Sequence, residues 1–143
     1  MARIHLALRA ILPRNLFATV AIAQIRDDGR LIVANGGHPP LFVVRSDGRI
    51  DTIGSTGPVV GLLPNAAWRA VELPFRRGDT LVAYTDGVIE ARNDAGEEFG
   101  DARVREALAA ARGDVRAIGN ALTAAVDAHG RAEDDVTVIV ARR

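Results

Sequence analysis

The last strand-like run constrains the fold most. Residues 136–141 (Val136, Thr137, Val138, Ile139, Val140, Ala141) are strongly β-branched, yet they follow two stretches with helical periodicity. The chain therefore has strands on both sides of its helices. The upstream part supplies the sheet. Ile4, Leu6, Leu8, Ile11 and Leu12 read as the end of an amphipathic helix stopped near Pro13. Strands follow at residues 17–25 and 31–34, joined by the hairpin turn Asp27-Asp28-Gly29. The turn-rich segment 35–40 leads to strands at 41–45 and 49–53, around Ser46-Asp47-Gly48. A Gly/Pro-rich loop precedes strands at 68–73 and 80–85. Helices are expected at 101–112 and 114–129, the second with Asp114 as N-cap and Gly130 as its stop. In that helix Val115, Ile118, Leu122 and Val126 recur at spacings of three and four, so they should be buried together. The order is strands, two helices, then a last strand, which makes an α+β domain spanning residues 1–143.

Composition removes most catalytic chemistry. All 18 basic residues are Arg, which excludes a Walker-type phosphate loop, a Schiff base and a Ser–Lys pair. Cysteine is absent, so thiol nucleophiles, thiolate zinc sites and disulfides are excluded too. Neither Ser46 nor Ser55 lies in a Gly-x-Ser-x-Gly elbow. The 18 acids balance the arginines, so the whole chain carries no charge signature of nucleic acid or an anionic membrane. Arg9 and Arg14 interrupt the only N-terminal apolar stretch, which reads as neither a signal peptide nor a membrane span; the expected location is the cytoplasm.

What remains is carboxylates and three histidines. Asp86 directly follows the apolar run 81–84, and Asp134-Asp135 directly precede the run 136–141. If those two strands pair antiparallel, the end of one meets the start of the other. Asp86 and Asp134 would then share one sheet edge, within reach of a common divalent ion. Oxygen donors without Cys or His partners favour magnesium or manganese. The competing structural reading is that Asp86-Gly87 is a turn and Asp134-Asp135 a solvated strand cap. His38 sits in a Gly/Pro turn beyond a strand, where a ligand or acid–base role and a backbone-bonded loop role are both open. His129 lies in the last turn of a helix, favourable for the helix dipole. His5 alternates with apolar neighbours near the terminus and reads as a surface residue. No histidine pair has metal-ligand spacing, and the few aromatics, Trp68 among them, form no stacking platform for single-stranded nucleic acid.

Several of these strings share one pattern. Residues 34–40 (Ala-Asn-Gly-Gly-His-Pro-Pro), Gly78-Asp79-Thr80-Leu81, residues 84–91 (Tyr-Thr-Asp-Gly-Val-Ile-Glu-Ala), residues 96–100 (Gly-Glu-Glu-Phe-Gly) and Asp134-Asp135-Val136-Thr137 resemble a single family in the correct order. It is the sporulation stage II protein E-type (SpoIIE-like) bacterial branch of the metal-dependent type-2C protein serine/threonine phosphatases; Phe17-Ala18-Thr19 resembles the same family's strand ahead of its first hairpin. The resemblance implies an α-β-β-α sandwich with two Mn2+ or Mg2+ ions at one end. A metal-bridged water would there attack a phosphoserine or phosphothreonine. It places Asp86 and Asp134 at metal-ligand positions, with Asp135 as the neighbouring alternative and His38 as a further candidate. The implied partner is a phosphorylated anti-sigma-factor antagonist in a partner-switching pathway.

The chain departs from the pattern in two places. The family's first metal motif, an Asp-Gly pair whose carboxylate bridges both ions, is absent and is expected upstream of Met1. The chain therefore resembles a domain lacking its N-terminal strand and helix portion, and metal binding is expected to be weak. His38 stands where eukaryotic relatives carry an acidic ligand for a third metal. Two functions follow: a phosphatase catalytic region, or a non-catalytic interaction module that keeps the fold without turnover. Missing N-terminal elements should also leave a sheet edge exposed, a route to self-association.

Overall fold

The computed structural model describes residues 1–111 and 113–143. They form α1 (Ala2–Ile11), β1 (Val20–Ile25), β2 (Arg30–Gly36), β3 (Leu41–Val44), β4 (Ile50–Ile53), β5 (Val71–Pro74), β6 (Thr80–Tyr84), α2 (Asp86–Ile89), α3 (Gly100–Ala110), α4 (Val115–His129) and β7 (Val138–Arg142). The α+β expectation holds. Arg112, the expected end of the first long helix, lies outside the described residues. The elements fall into two compact units, Met1–His38 with Gly54–Arg76 and Pro39–Ile53 with Arg77–Arg143.

The first unit holds α1 and an antiparallel sheet in the order β1-β2-β5. The expected hairpin joins β1 to β2, with Ile25 opposite Leu31 and Gly29 at a φ of 88°, a conformation that favours glycine. Leu31 and Val33 of β2 are fully buried, as is Phe75. His5 corrects the sequence reading: only 3% of it is exposed. Its Nδ1 accepts a hydrogen bond from the Gly61 N–H at 3.0 Å, and its ring lies 5.0 Å from that of Trp68. The Trp68 indole in turn donates to the Pro58 carbonyl at 2.6 Å. His5, Leu8 and Leu12 recur at helical spacing, and that stripe rather than local alternation decides which face of α1 is inward.

The second unit carries an antiparallel sheet in the order β4-β3-β6-β7. The returning strand pairs with β6 from Thr80 opposite Arg142 to Tyr84 opposite Val138. Helices α3 and α4 pack on this sheet through Val104, Leu108, Ile118, Leu122 and Val126, against Phe42, Val82 and Tyr84. Asp114 caps α4 by accepting from the Ala117 N–H at 2.9 Å, and the Gly130 N–H closes its last turn on the Val126 carbonyl. Val115 departs from expectation. As the first helical residue it is 38% exposed, while Ile118, Leu122 and Val126 are buried as expected. Leu122 is fully enclosed, so Leu122→Ala should lower unfolding stability by about 2 to 5 kcal/mol in urea titrations. A loss under about 1 kcal/mol would mean that this core can collapse around the deletion.

Candidate functional site

The site is built where β6 ends and β7 begins. Past the last registered pair the two strands stay joined. The Thr85 N–H donates to the Thr137 carbonyl at 3.0 Å, and the Thr137 N–H donates to Thr85 Oγ1 at 2.9 Å. The Thr85 hydroxyl then donates to the Asp135 carbonyl at 2.8 Å. One threonine thus fastens residues 135–137 to the end of β6. At the opposite end of the pair the Gly78 N–H donates to the Arg143 carbonyl at 2.9 Å, so β6 and β7 are tied at both ends.

Asp86 is not a turn residue but the first residue of α2, a single turn of helix. Gly87 explains why the next position has no side chain. A Cβ there would lie 2.7 Å from the Asp135 carbonyl oxygen and 3.0 Å from that of Asp134. Both obstacles are backbone and cannot swing away. Gly87→Ala should therefore push the 134–135 segment off the β6 end, costing about 1 to 3 kcal/mol in denaturant unfolding. A G87A variant of unchanged stability would show that the two segments separate freely. Sequence reasoning assigned no role to Thr85 or Gly87. The available signal was a hydroxyl and a glycine flanking an aspartate at the end of an apolar strand.

Asp86, Asp134 and Asp135 are all exposed on this edge. Asp86 Oδ1 accepts only from the neighbouring Gly87 N–H at 3.1 Å, and Asp134 Oδ1 from the Asp135 N–H at 2.7 Å. Among the described residues no arginine forms an ion pair with any of the three, in a chain holding 18 arginines. Hard, unpaired oxygen donors are the right kind for Mg2+ or Mn2+. Their number falls short, because among the described residues no three His, Asp or Glu side chains converge to hold a metal. The donors fit part of one ion's shell and do not complete a two-ion cage.

Other polar side chains of the second unit are held in structural bonds. Tyr84 is buried and its hydroxyl donates to Asp101 at 2.9 Å; burial first, then that bond, push its pKa well above the usual tyrosine value. Asp79, just ahead of β6, is buried and accepts from Arg45 Nη1 at 2.8 Å and from the Ser46 N–H at 3.0 Å. Burial works against the charge on Arg45, and its bonds to Asp51 and Asp79 outweigh that and raise its pKa. His129 ends α4 with its ring 5.4 Å from Phe99 and Nε2 bonded to the Glu97 carbonyl, a packing role. His38 belongs to the first unit, whereas Asp86, Asp134 and Asp135 belong to the second. The buried Asn35 side chain holds the His38 turn, accepting from the His38 N–H at 2.9 Å and donating to its carbonyl at 3.0 Å.

Comparison with known proteins assigns the fold and the family. The family model of stage II sporulation protein E (SpoIIE) matches residues 1–143. The chain belongs to the SpoIIE family. Protein IcfG of Synechocystis sp. is 40% identical over 96 residues, covering 66% of this chain and 15% of IcfG. The SiaA PP2C domain of Pseudomonas aeruginosa superposes with a TM-score of 0.83 at 22% identity, covering 97% of this chain and 57% of that one. The PP2C phosphatase domain of SpoIIE from Bacillus subtilis, solved with a fragment of its regulatory domain, gives 0.78 at 22% identity over 94% of this chain and 42% of that one. The fold is that of PP2C phosphatase domains, and the chain spans little more than half of the SiaA domain.

Proposed function

We propose that this domain takes part in hydrolysing phosphoserine or phosphothreonine on a protein, with Asp86 and Asp134 as ligands of a catalytic Mn2+ or Mg2+. The observation that carries the reading is the threonine-fastened junction of β6 and β7, which gathers unpaired carboxylates at one sheet edge. Asp135, one position on, is the reserve ligand. A divalent ion there would acidify a water nucleophile and neutralise charge building on the phosphoryl oxygens. The residues of this chain do the holding: Thr85 and Gly87 keep the 134–135 segment against Asp86, and Asp79 sets where β6 begins. The family resemblance suggests a phosphorylated anti-sigma-factor antagonist as substrate. β7 ends the order of its sheet among the described residues, and its free backbone edge is where a second copy would associate.

Phosphate release from such a serine-phosphorylated protein in Mn2+ tests the reading. The 143-residue chain should stay barely above a manganese-only blank. The same chain joined to a segment carrying an Asp-Gly pair of the family's first metal motif should turn over far faster. Asp86→Asn in that longer protein should cost at least about 100-fold, because a metal contributes several kcal/mol and each tenfold is about 1.4 kcal/mol. Turnover indifferent to Asp86 would overturn the ligand assignment. Strong Asp86-dependent turnover by the short chain would show that another residue here supplies the bridging carboxylate.

A further inference from the structure

Thr85 belongs to a ladder and to a helix, and its bonds depart from the usual pattern of both. In the β6–β7 ladder it faces Thr137, one step beyond the Tyr84–Val138 pair. A hydrogen-bonded antiparallel pair exchanges two backbone bonds, and the first is made by the Thr85 N–H to the Thr137 carbonyl at 3.0 Å. In place of the second, the Thr137 N–H donates to Thr85 Oγ1 at 2.9 Å. The Thr85 carbonyl accepts instead from the Val88 N–H at 3.0 Å, the bond that opens α2. Thr85 is also the N-cap of α2, where a threonine oxygen ordinarily accepts from the first amides of its own helix. Among the described residues it makes no such cap bond, because the hydroxyl is engaged across the sheet.

This exchange of acceptors lets the chain pass from strand to helix with Thr85 alone between them. The hydroxyl keeps the ladder bond while the carbonyl starts the helix, so Asp86 follows directly on a residue locked to β7. Because the hydroxyl oxygen receives the Thr137 N–H, its hydrogen is directed to the Asp135 carbonyl, 2.8 Å away. Gly87 approaches the same carbonyl, since a Cβ there would lie 2.7 Å from its oxygen. The residues on either side of Asp86 therefore both bear on the carbonyl that follows Asp134 in the chain.

We propose that Thr85 is a positioning residue for a divalent ion, its hydroxyl setting Asp86 at the start of α2 against Asp134 at the entry to β7. The proposal rests on the ligand assignment made above and adds a residue that touches no ion. Groups that orient metal ligands through a hydrogen bond typically govern affinity by about 10- to 100-fold. Only a hydroxyl supplies both halves of this link. Valine has the same shape, but it would leave the Thr137 N–H without its acceptor and the Asp135 carbonyl without its donor. Serine keeps the donor and the acceptor and loses only a methyl group.

The test compares Thr85→Ser, Thr85→Val and Thr85→Ala in the 143-residue chain, with Asp86→Asn and Leu122→Ala beside them, all at a temperature where each is folded. Mn2+ affinity is read from free manganese by electron paramagnetic resonance. Exchange of the Thr137 amide is read separately by nuclear magnetic resonance without metal. T85V and T85A should each bind Mn2+ at least about tenfold more weakly, with the Thr137 amide exchanging at least about tenfold faster. T85S should match the parent chain in both readouts. L122A, which loosens the enclosed core under α4, should leave Mn2+ affinity unchanged. T85V and T85A binding as tightly as the parent while D86N binds weakly would overturn the role of Thr85 and leave the ligand assignment standing. Unchanged binding by D86N would overturn the assignment and the proposal with it. A loss in L122A equal to that in T85V, or no recovery in T85S, would show that the hydroxyl does not set the affinity.

Discussion

Asp79→Ala should lower the stability of the second unit by about 1.5 to 3 kcal/mol, the cost of losing the buried bond to a guanidinium that keeps its half-exposed carboxylate, Asp51. The Asp79 side chain is 2% exposed and Arg45 only 12%. Its two oxygens hold Arg45 and the Ser46 N–H, so the substitution strips the bond that pins the β3–β4 turn to the start of β6. Asp51 still contacts Arg45 but is half exposed and replaces little of the lost charge. Replacing both partners together, Arg45→Met with Asp79→Leu, should recover much of the loss, because an apolar pair carries no desolvation penalty. Urea unfolding followed by circular dichroism reads both variants. A loss under about 1 kcal/mol in D79A would show that solvent reaches Arg45 freely.

How far the sequence exposed this arrangement differs from element to element. The pairing of β6 with β7 was legible because both are apolar, β-branched runs flanked by acids, and burying them on one sheet leaves little choice of partner. The hairpin at Asp27-Asp28-Gly29 and the Asp114 cap were legible because each rests on local chemistry. His5 was misread because alternation with its immediate neighbours suggested a surface position, whereas the helical stripe through Leu8 and Leu12 carries it inward. Val115 shares the apolar stripe of α4 but starts the helix, where no preceding turn covers it. Helix α2 was illegible because Asp-Gly is a turn signal, and only the backbone of residues 134–135 passing close by gives Gly87 its purpose. The roles of Thr85 and Asp79 needed three-dimensional partners 50 and 34 residues away. The basic excess of the first unit, seven arginines against three carboxylates, was masked by summing charge over the whole chain.

Asp86 and Asp134 are proposed as ligands of one divalent ion. Two +2 ions close together in a partly desolvated site repel strongly, and a bridging carboxylate normally offsets that repulsion. With no third converging acid among the described residues, a single weakly held ion is the expected state. Titration of the 143-residue chain with Mn2+, reading free manganese by electron paramagnetic resonance, tests this most directly beside Asp86→Asn, Asp134→Asn and the remote control Asp47→Asn. One Mn2+ should bind with a Kd of about 10⁻⁴ to 10⁻³ M, the weak end of the range for oxygen-ligand cation sites. Binding should be at least about tenfold weaker in D86N and in D134N, with D47N unchanged. Binding by D86N as tight as that of the parent chain would contradict the ligand assignment.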